Sequence, residues 1–309
     1  MIETRPAERE AALRTTEEPA GALLTVIVPA YNEAPTIAAE GENVRRAVDG
    51  SEFAPSEVLV LDDGSSDGTP EIARAAGATV ISHPINLGQG AAIKTGISRS
   101  HGKYLALIDG DGTYPANELP RLVSFLDESG YEQVVGDRQG EAGTMRPLRS
   151  LVKRALRMFA AFLSGQKVGD LNSGMRVITR EAAVRYQTLI PDGFSNSTTL
   201  TLASLSHRGR IAFIPIAYKR RQEGKSKFRP VGDTYNMALA IIRMVMYVDP
   251  LRVLLPVAAV FLTAGLIKAA TDMVRFDLHI TTSSVLLTMT AIQIGAIALI
   301  ADLIVRRTR

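Results

Sequence analysis

The sequence predicts an α/β domain with a doubly wound, mainly parallel sheet, helices on both faces, and a C-terminal apolar hairpin. Three observations predict it. Short apolar, β-branched runs alternate with helix-length stretches from residue 23 to 136, as in sheets built from strand–helix units. Several of those runs stop abruptly at acids, where an open sheet forms its ligand crevice. Two apolar stretches, 253–270 and 283–305, are each about as long as a bilayer core requires.

The first strand is expected at 23–28. It ends at Pro29, and Pro29-Ala30-Tyr31-Asn32-Glu33 turns into a helix at 36–48. A second strand, 57–61, runs into Asp62-Asp63-Gly64-Ser65-Ser66-Asp67-Gly68-Thr69. Pro70 then opens a helix at 70–76, at the first-turn position where proline fits best. A third strand is read at 78–82, and the glycine-rich segment Asn86-Leu87-Gly88-Gln89-Gly90 leads into a helix at 91–100. That segment reads as a close loop or, alternatively, as a phosphate cradle. The fourth strand, 104–108, ends in Asp109-Gly110-Asp111 and is followed by a helix at 116–126. Further strands are expected at 132–136 and 211–218. The segment 170–178 is expected to re-enter the sheet.

Two stretches have another character. Apolar residues at 148, 151, 152, 155, 156, 159 and 162 follow helical spacing, with Arg149, Lys153, Arg154 and Arg157 between them. A basic amphipathic helix at 148–163 suits a membrane surface or partner, or a soluble core with a basic outer face. A second amphipathic helix is read at 233–248. The resulting organisation is a disordered polar tail at 1–20, an α/β domain at 21–229, a juxtamembrane helix region at 230–250 and a transmembrane hairpin at 251–309. The polar tail has no apolar core of a signal peptide. Arg243, Arg252 and the terminal arginines flank one side of the hairpin; Lys268 and Arg275 lie towards its link. The positive-inside rule then places the α/β domain and C-terminus in the cytoplasm. Two spans are few for a membrane protein, which leaves room for a homo-oligomer.

Composition excludes several chemistries. The 309 residues contain no cysteine, so disulfides, thiolate metal sites and cysteine nucleophiles are ruled out. A net charge of +3 gives no reason to expect a nucleic-acid partner. The first turn lacks the Gly-x-Gly-x-x-Gly of a dinucleotide site, and Gly224-Lys225-Ser226 lacks the spacing of a P-loop.

The acids carry the chemistry. Asp109 and Asp111 form a solvated turn or share a divalent cation, which for oxygen donors beside phosphates means Mg²⁺ or Mn²⁺. Glu33, Asp62 and Asp63 lie at neighbouring strand ends, so a metal–diphosphate with its nucleoside would find carboxylates all along one edge.

Residues 26–33 (Val26-Ile27-Val28-Pro29-Ala30-Tyr31-Asn32-Glu33), the 61–69 loop, Asn86-Leu87-Gly88-Gln89-Gly90 and Asp109-Gly110-Asp111 resemble family-2 glycosyltransferases of the GT-A fold. Gly136-Asp137-Arg138, Asn172-Ser173-Gly174-Met175-Arg176, Arg221 with Gly224-Lys225-Ser226-Lys227, and Asp249-Pro250-Leu251-Arg252 resemble its polyprenyl-phosphate branch. That branch includes dolichyl-phosphate mannose synthases and undecaprenyl-phosphate glycosyltransferases. The resemblance implies an inverting transferase that moves one sugar from a GDP-mannose- or UDP-glucose-type donor to a polyprenyl phosphate. It implies that Pro29, Tyr31, Glu33, Asp62, Asp63, Asp109 and Gly110 bind the donor, and that Asp109 and Asp111 hold the metal. It further implies that Arg138, Arg149, Ser173, Arg221, Ser226 and Lys227 bracket the acceptor phosphate, with Asp109, Asp111 and Arg221 as the catalytic set. A hydroxyl acceptor would need a general base, and 194–199 contains no acid. The rival readings are a transferase to a lipid or glycan hydroxyl and a non-catalytic nucleotide-sugar-binding membrane scaffold.

Overall fold

The computed structural model describes residues 23–139, 157–158, 161, 168–193, 196–207, 209–218, 246, 249–275 and 281–307. The N-terminal tail, most of the two amphipathic helices, and Arg149, Arg221, Ser226 and Lys227 lie outside the described residues. So does the P-loop-like Gly224-Lys225-Ser226.

The elements in chain order are β1 (Leu24–Ala30), α1 (Ile37–Asp49), β2 (Ser56–Asp62), α2 (Thr69–Ala75), β3 (Thr79–Ser82), α3 (Gln89–Arg99), β4 (Tyr104–Leu107) and α4 (Leu119–Ser129). They continue with β5 (Gln133–Gln139), β6 (Arg176–Thr179), α5 (Arg180–Tyr186), α6 (Asn196–Ser206), β7 (Ile211–Ala217), α7 (Pro250–Arg275) and α8 (Thr282–Arg307). The seven strands lie in the order β3-β2-β1-β4-β6-β5-β7. β1 is buried along its whole length, as a central parallel strand covered on both faces must be. Its side chains alternate between two cores. Leu24, Val26 and Val28 join Val44 of α1 and Leu122 of α4, whereas Ile27 joins Leu61, Ile97 of α3, Tyr186 of α5 and Leu200 of α6.

One strand breaks the parallel pattern. β6 runs antiparallel to both β4 and β5, so the sheet is mixed although most of its pairs are parallel. The reversal has a functional result. Arg176, first residue of β6, pairs with Leu107, last residue of β4. Segment 168–175 is thereby delivered to the same sheet edge as the Asp109 turn.

The hairpin helices are longer than the apolar stretches alone indicate. α7 continues through Thr271 and Asp272 to Arg275. Asp272 is buried and accepts from Lys268 Nζ at 3.2 Å, one turn earlier, and from the hydroxyls of Thr281 and Ser284. With those partners the acid closes the hairpin rather than ending the helix. At Gly265 the helices approach so closely that an added Cβ would lie 2.6 Å from Thr288 Oγ1. Outward side chains such as Val260, Ile267 and Leu303 stay about two-thirds exposed. Both helices are long and apolar enough to cross a membrane. Val253, near the start of α7, packs against the core beneath α3, α5 and α6.

Candidate active site

β4 is apolar because it is buried, and the chain turns out of the sheet where Asp109 begins. Gly110 sits closely packed there: a Cβ would come 3.3 Å from Ile37 Cδ1 and 3.4 Å from Pro29 O. Its carbonyl accepts from Thr36 Oγ1 at 3.0 Å, which ties the turn to the start of α1. Asp111 Oδ1 accepts from the amide and hydroxyl of Thr113 at 3.1 and 2.6 Å, a local turn of the kind aspartate makes. Asp109 Oδ1 accepts from Gln89 Nε2 at 2.9 Å. Burial, followed by the charge of Asp111, pushes the Asp109 carboxyl up to about 6, against the pull of Arg138 and Arg176.

This pair fits a hard divalent cation. Both groups offer oxygen, and their mutual repulsion is the condition a cation relieves. Among the described residues no group of three or more His, Cys, Asp or Glu could hold a metal. Two carboxylates would leave positions for phosphate oxygens, as suits Mg²⁺ or Mn²⁺ at a nucleotide.

The donor-side loops are stitched together at the neighbouring strand ends. Asn32, at φ +52°, adopts the left-handed conformation that asparagine tolerates. Its amide donates to Ser65 Oγ and its Oδ1 accepts from Ser66 N, both at 2.9 Å. Glu33 N donates to Thr69 Oγ1 at 2.9 Å. Tyr31 and Glu33 are half-buried at the rim, and Pro29 pairs with Leu61 within the sheet. Asp62 and Asp63 are each 2 % exposed. Asp62 Oδ1 accepts from Ser65 N at 3.1 Å, and Asp63 from the amides of Leu87 and Gly88 at 2.9 and 2.7 Å. These two acids shape the loops around the crevice. The glycine-rich segment is a close loop: at Gly90 a Cβ would lie 2.9 Å from the Pro191 carbonyl carbon. The Asp192 carbonyl caps α3, accepting from Gly90 N and Ala91 N at 2.8 and 3.1 Å.

Opposite them stands the segment delivered by β6. Gly174 N donates to Tyr114 Oη at 2.7 Å, and the Tyr114 hydroxyl is pushed upward by burial, then by Asp109. The Tyr114 ring meets Tyr218 edge-on at 5.1 Å, and the Arg138 guanidinium lies 5.1 Å from the Tyr218 ring centre. Arg138 Nε also pairs with Asp170 Oδ2 at 2.5 Å. Ser173 is fully buried, its hydroxyl donating to Met175 O at 3.4 Å. A Cβ at Gly174 would lie 2.7 Å from the Asp109 carboxylate carbon, so only glycine leaves Asp109 where it is. Gly174→Ala should lower turnover by about 10²-fold, the cost of displacing a reacting group by about an ångström. Initial rates together with a thermal melt check this; a fully active variant would show that Asp109 tolerates the shift.

The structure thus brings Asp109, Asp111, Asp63, Glu33, Arg138 and Ser173 to one sheet edge. Two neighbours, Gln89 and Arg176, enter the sequence reading only as members of their motifs, Gln89 in the segment weighed as a close loop or a phosphate cradle. Arg176 had a visible signal, an arginine inside an otherwise apolar strand. Gln89 had only its place in the glycine-rich segment, since its contact with Asp109 spans 20 residues.

A mixed sheet of this order, with an acid pair closing its central strand, defines a GT-A-type glycosyltransferase. Residues 25–186 match the family Glycosyl transferase family 2, and residues 249–306 match the GtrB C-terminal hairpin. The chain belongs to glycosyltransferase family 2. It is 32% identical to the glycosyltransferase AglJ of Haloferax volcanii, over 73% of each chain. It is also 32% identical to that organism's dolichyl-phosphate hexose transferase, over 72% of this chain and 93% of the relative. An undecaprenyl-phosphate 4-deoxy-4-formamido-L-arabinose transferase of Salmonella choleraesuis is 28% identical over 78% of this chain and 73% of its own. Glucosyl-3-phosphoglycerate synthase from Mycobacterium tuberculosis, solved with Mn²⁺, UDP-glucose and glycerol 3-phosphate, superposes with a TM-score of 0.57 at 25% identity. That match covers 80% of this chain and 84% of the other.

Proposed function

We propose that this enzyme transfers one hexose-type sugar from a nucleotide sugar to a polyprenyl phosphate at the cytoplasmic face of a membrane. The observation that carries the proposal is the direct junction between Val253 of α7 and the catalytic core. It supports a glycosyltransferase domain held at the foot of an apolar hairpin, where a lipid headgroup would meet it. The dolichyl- and undecaprenyl-phosphate transferases among the relatives support the same acceptor class. Arginine near both ends of the hairpin favours a cytoplasmic catalytic domain.

In the proposed reaction an acceptor phosphate oxygen attacks C1 of the sugar. The bond from C1 to the diphosphate oxygen breaks, the nucleoside diphosphate departs, and the anomeric configuration inverts. A bound Mg²⁺ or Mn²⁺ would offset the charge on the departing diphosphate. Asp109 and Asp111 are the residues assigned to hold it, and the 29–33 and 62–69 loops are assigned to the nucleoside. Arg138 is assigned to the acceptor phosphate together with Arg149, Arg221, Ser226 and Lys227, since guanidinium can bind two phosphate oxygens at once. A phosphate is already ionised at neutral pH, so positioning and neutralisation replace a general base.

A panel of UDP- and GDP-sugars with a short polyprenyl phosphate tests the proposal, scored by the mass of the lipid product. The expected product is an acid-labile glycosyl phosphate. An alkali-stable glycoside formed only on hydroxyl lipids, or turnover of no donor, would overturn it.

A further inference from the structure

The buried Asp63 carboxylate is occupied by protein groups on both oxygens. Oδ1 accepts from Leu87 N at 2.9 Å and lies 2.8 Å from His83 Nδ1, while Oδ2 accepts from Gly88 N at 2.7 Å. The other imidazole nitrogen, Nε2, lies 2.9 Å from Thr95 Oγ1 on α3. A strand-end acid, an imidazole and a helix hydroxyl thus fix residues 87 and 88. The next residue is Gln89, the first of α3, whose amide reaches Asp109. From the other side the α3 start is pinned by the Asp192 carbonyl, so Gln89 springs from a backbone held on two sides.

We infer that Gln89 is a positioning residue for the cation site: it holds Oδ1 of Asp109, while Gly174 borders Oδ2, and so fixes the carboxylate that a divalent ion would meet, with Asp63 and His83 holding Gln89 in turn. The terminal torsion of an aspartate is broad and roughly two-fold. One hydrogen bond to one oxygen therefore removes much of the freedom the carboxylate would otherwise lose on binding metal. Partners of this kind, behind the metal ligands, are worth about 10- to 100-fold in metal affinity. The inference rests on the acid pair holding a cation but not on the identity of the acceptor.

The test is Mn²⁺ binding to the full-length protein in detergent with UDP, read from the electron paramagnetic resonance signal of free Mn²⁺. No sugar or lipid is present, so the outcome is independent of the acceptor. Gln89→Met, similar in size but without a donor, is expected to weaken Mn²⁺ binding about tenfold. Gln89→Asn, whose amide is one methylene short, should do the same. UDP binding without metal and the unfolding midpoint should stay at wild-type values in both. Asp109→Asn serves as the reference for a lost ligand. If it binds Mn²⁺ as the wild type does, the cation site itself is misplaced and the inference falls with it. If Asp109→Asn loses the ion but Gln89→Met and Gln89→Asn bind it normally, the positioning role is overturned alone.

Discussion

Replacing Asp109 by Asn should abolish sugar transfer and, in the same protein, increase resistance to unfolding. Burial and then Asp111 lift the Asp109 carboxyl from 3.8 to about 6 in the folded protein. Between those values the folded state keeps a proton that the unfolded chain has released. The folded state is therefore favoured below pH 4 and loses that advantage as the pH rises through 6. Above this window the ionised carboxylate costs about 3 kcal/mol, at about 1.4 kcal/mol per unit. Asparagine keeps the shape and the contact with Gln89 while removing the charge. The metal-free variant should thus melt several degrees higher at pH 7.5, with the difference closing near pH 4. Saturating Mn²⁺ with UDP should narrow the gap by stabilising only the wild type. Melts at the two pH values, with and without Mn²⁺, check this, alongside an assay for transfer. A variant that melts lower at pH 7.5 would show that the carboxylate is not held under repulsion; one that transfers sugar normally would remove Asp109 from catalysis.

Arg176→Ala should be the most damaging single change to stability. The guanidinium is fully buried. It donates to Ser197 O at 2.7 Å and Thr201 Oγ1 at 3.1 Å, and also to Ser173 O. Those acceptors are neutral oxygens on two separate segments. Burial pulls its pKa down to about 10, with Tyr114, Asp170 and Asp109 opposing that fall, so it remains a cation at neutral pH. Alanine would take the donor from Ser173 O at about 1–3 kcal/mol, leave Ser197 O and Thr201 Oγ1 only their mutual bond, and open a cavity. A loss of about 4 kcal/mol in urea unfolding is expected. Arg176→Met fills the space without the bonds and should recover about half of it. Both variants also remove a cation whose field lowers the Asp109 pKa, so the Asp109 titration should move upward. An Arg176→Met protein within about 1 kcal/mol of wild type would make the arginine a space-filler.

Much of this architecture is legible in the sequence because buried parallel strands leave short apolar runs and the crevice leaves acids at their ends. β1, β2 and the Asp109 turn can be read this way with little more than periodicity. The direction of β6 cannot, since a short strand carries no mark of whether its neighbours run with or against it. The inward turn of Asp62 and Asp63 is also hidden. Their partners Ser65, His83, Leu87 and Gly88 are polar groups or backbone amides that any loop would contain. The hairpin is under-read for a related reason: Asp272 suggests a break until Lys268, Thr281 and Ser284 are seen around it. Arg138 stands out in the sequence only through the Gly136-Asp137-Arg138 motif, and its pairing with Asp170 belongs to the tertiary structure.

The reversed strand also limits how the molecule can be divided. Residues 23–139 contain the loops assigned to the nucleoside and both acids assigned to the cation, and would be the natural choice for a minimal nucleotide-binding fragment. In that fragment one side of β4 would have no neighbour, because β6 fills it in the whole chain. β5 would lack both of its neighbours, β6 and β7. Two strands with open hydrogen-bonding edges, one of them the apolar β4, invite pairing between molecules. During synthesis the same edge stays open until residues 176–179 leave the ribosome. The half of the sequence that can be read most easily is therefore the half that should be least soluble alone.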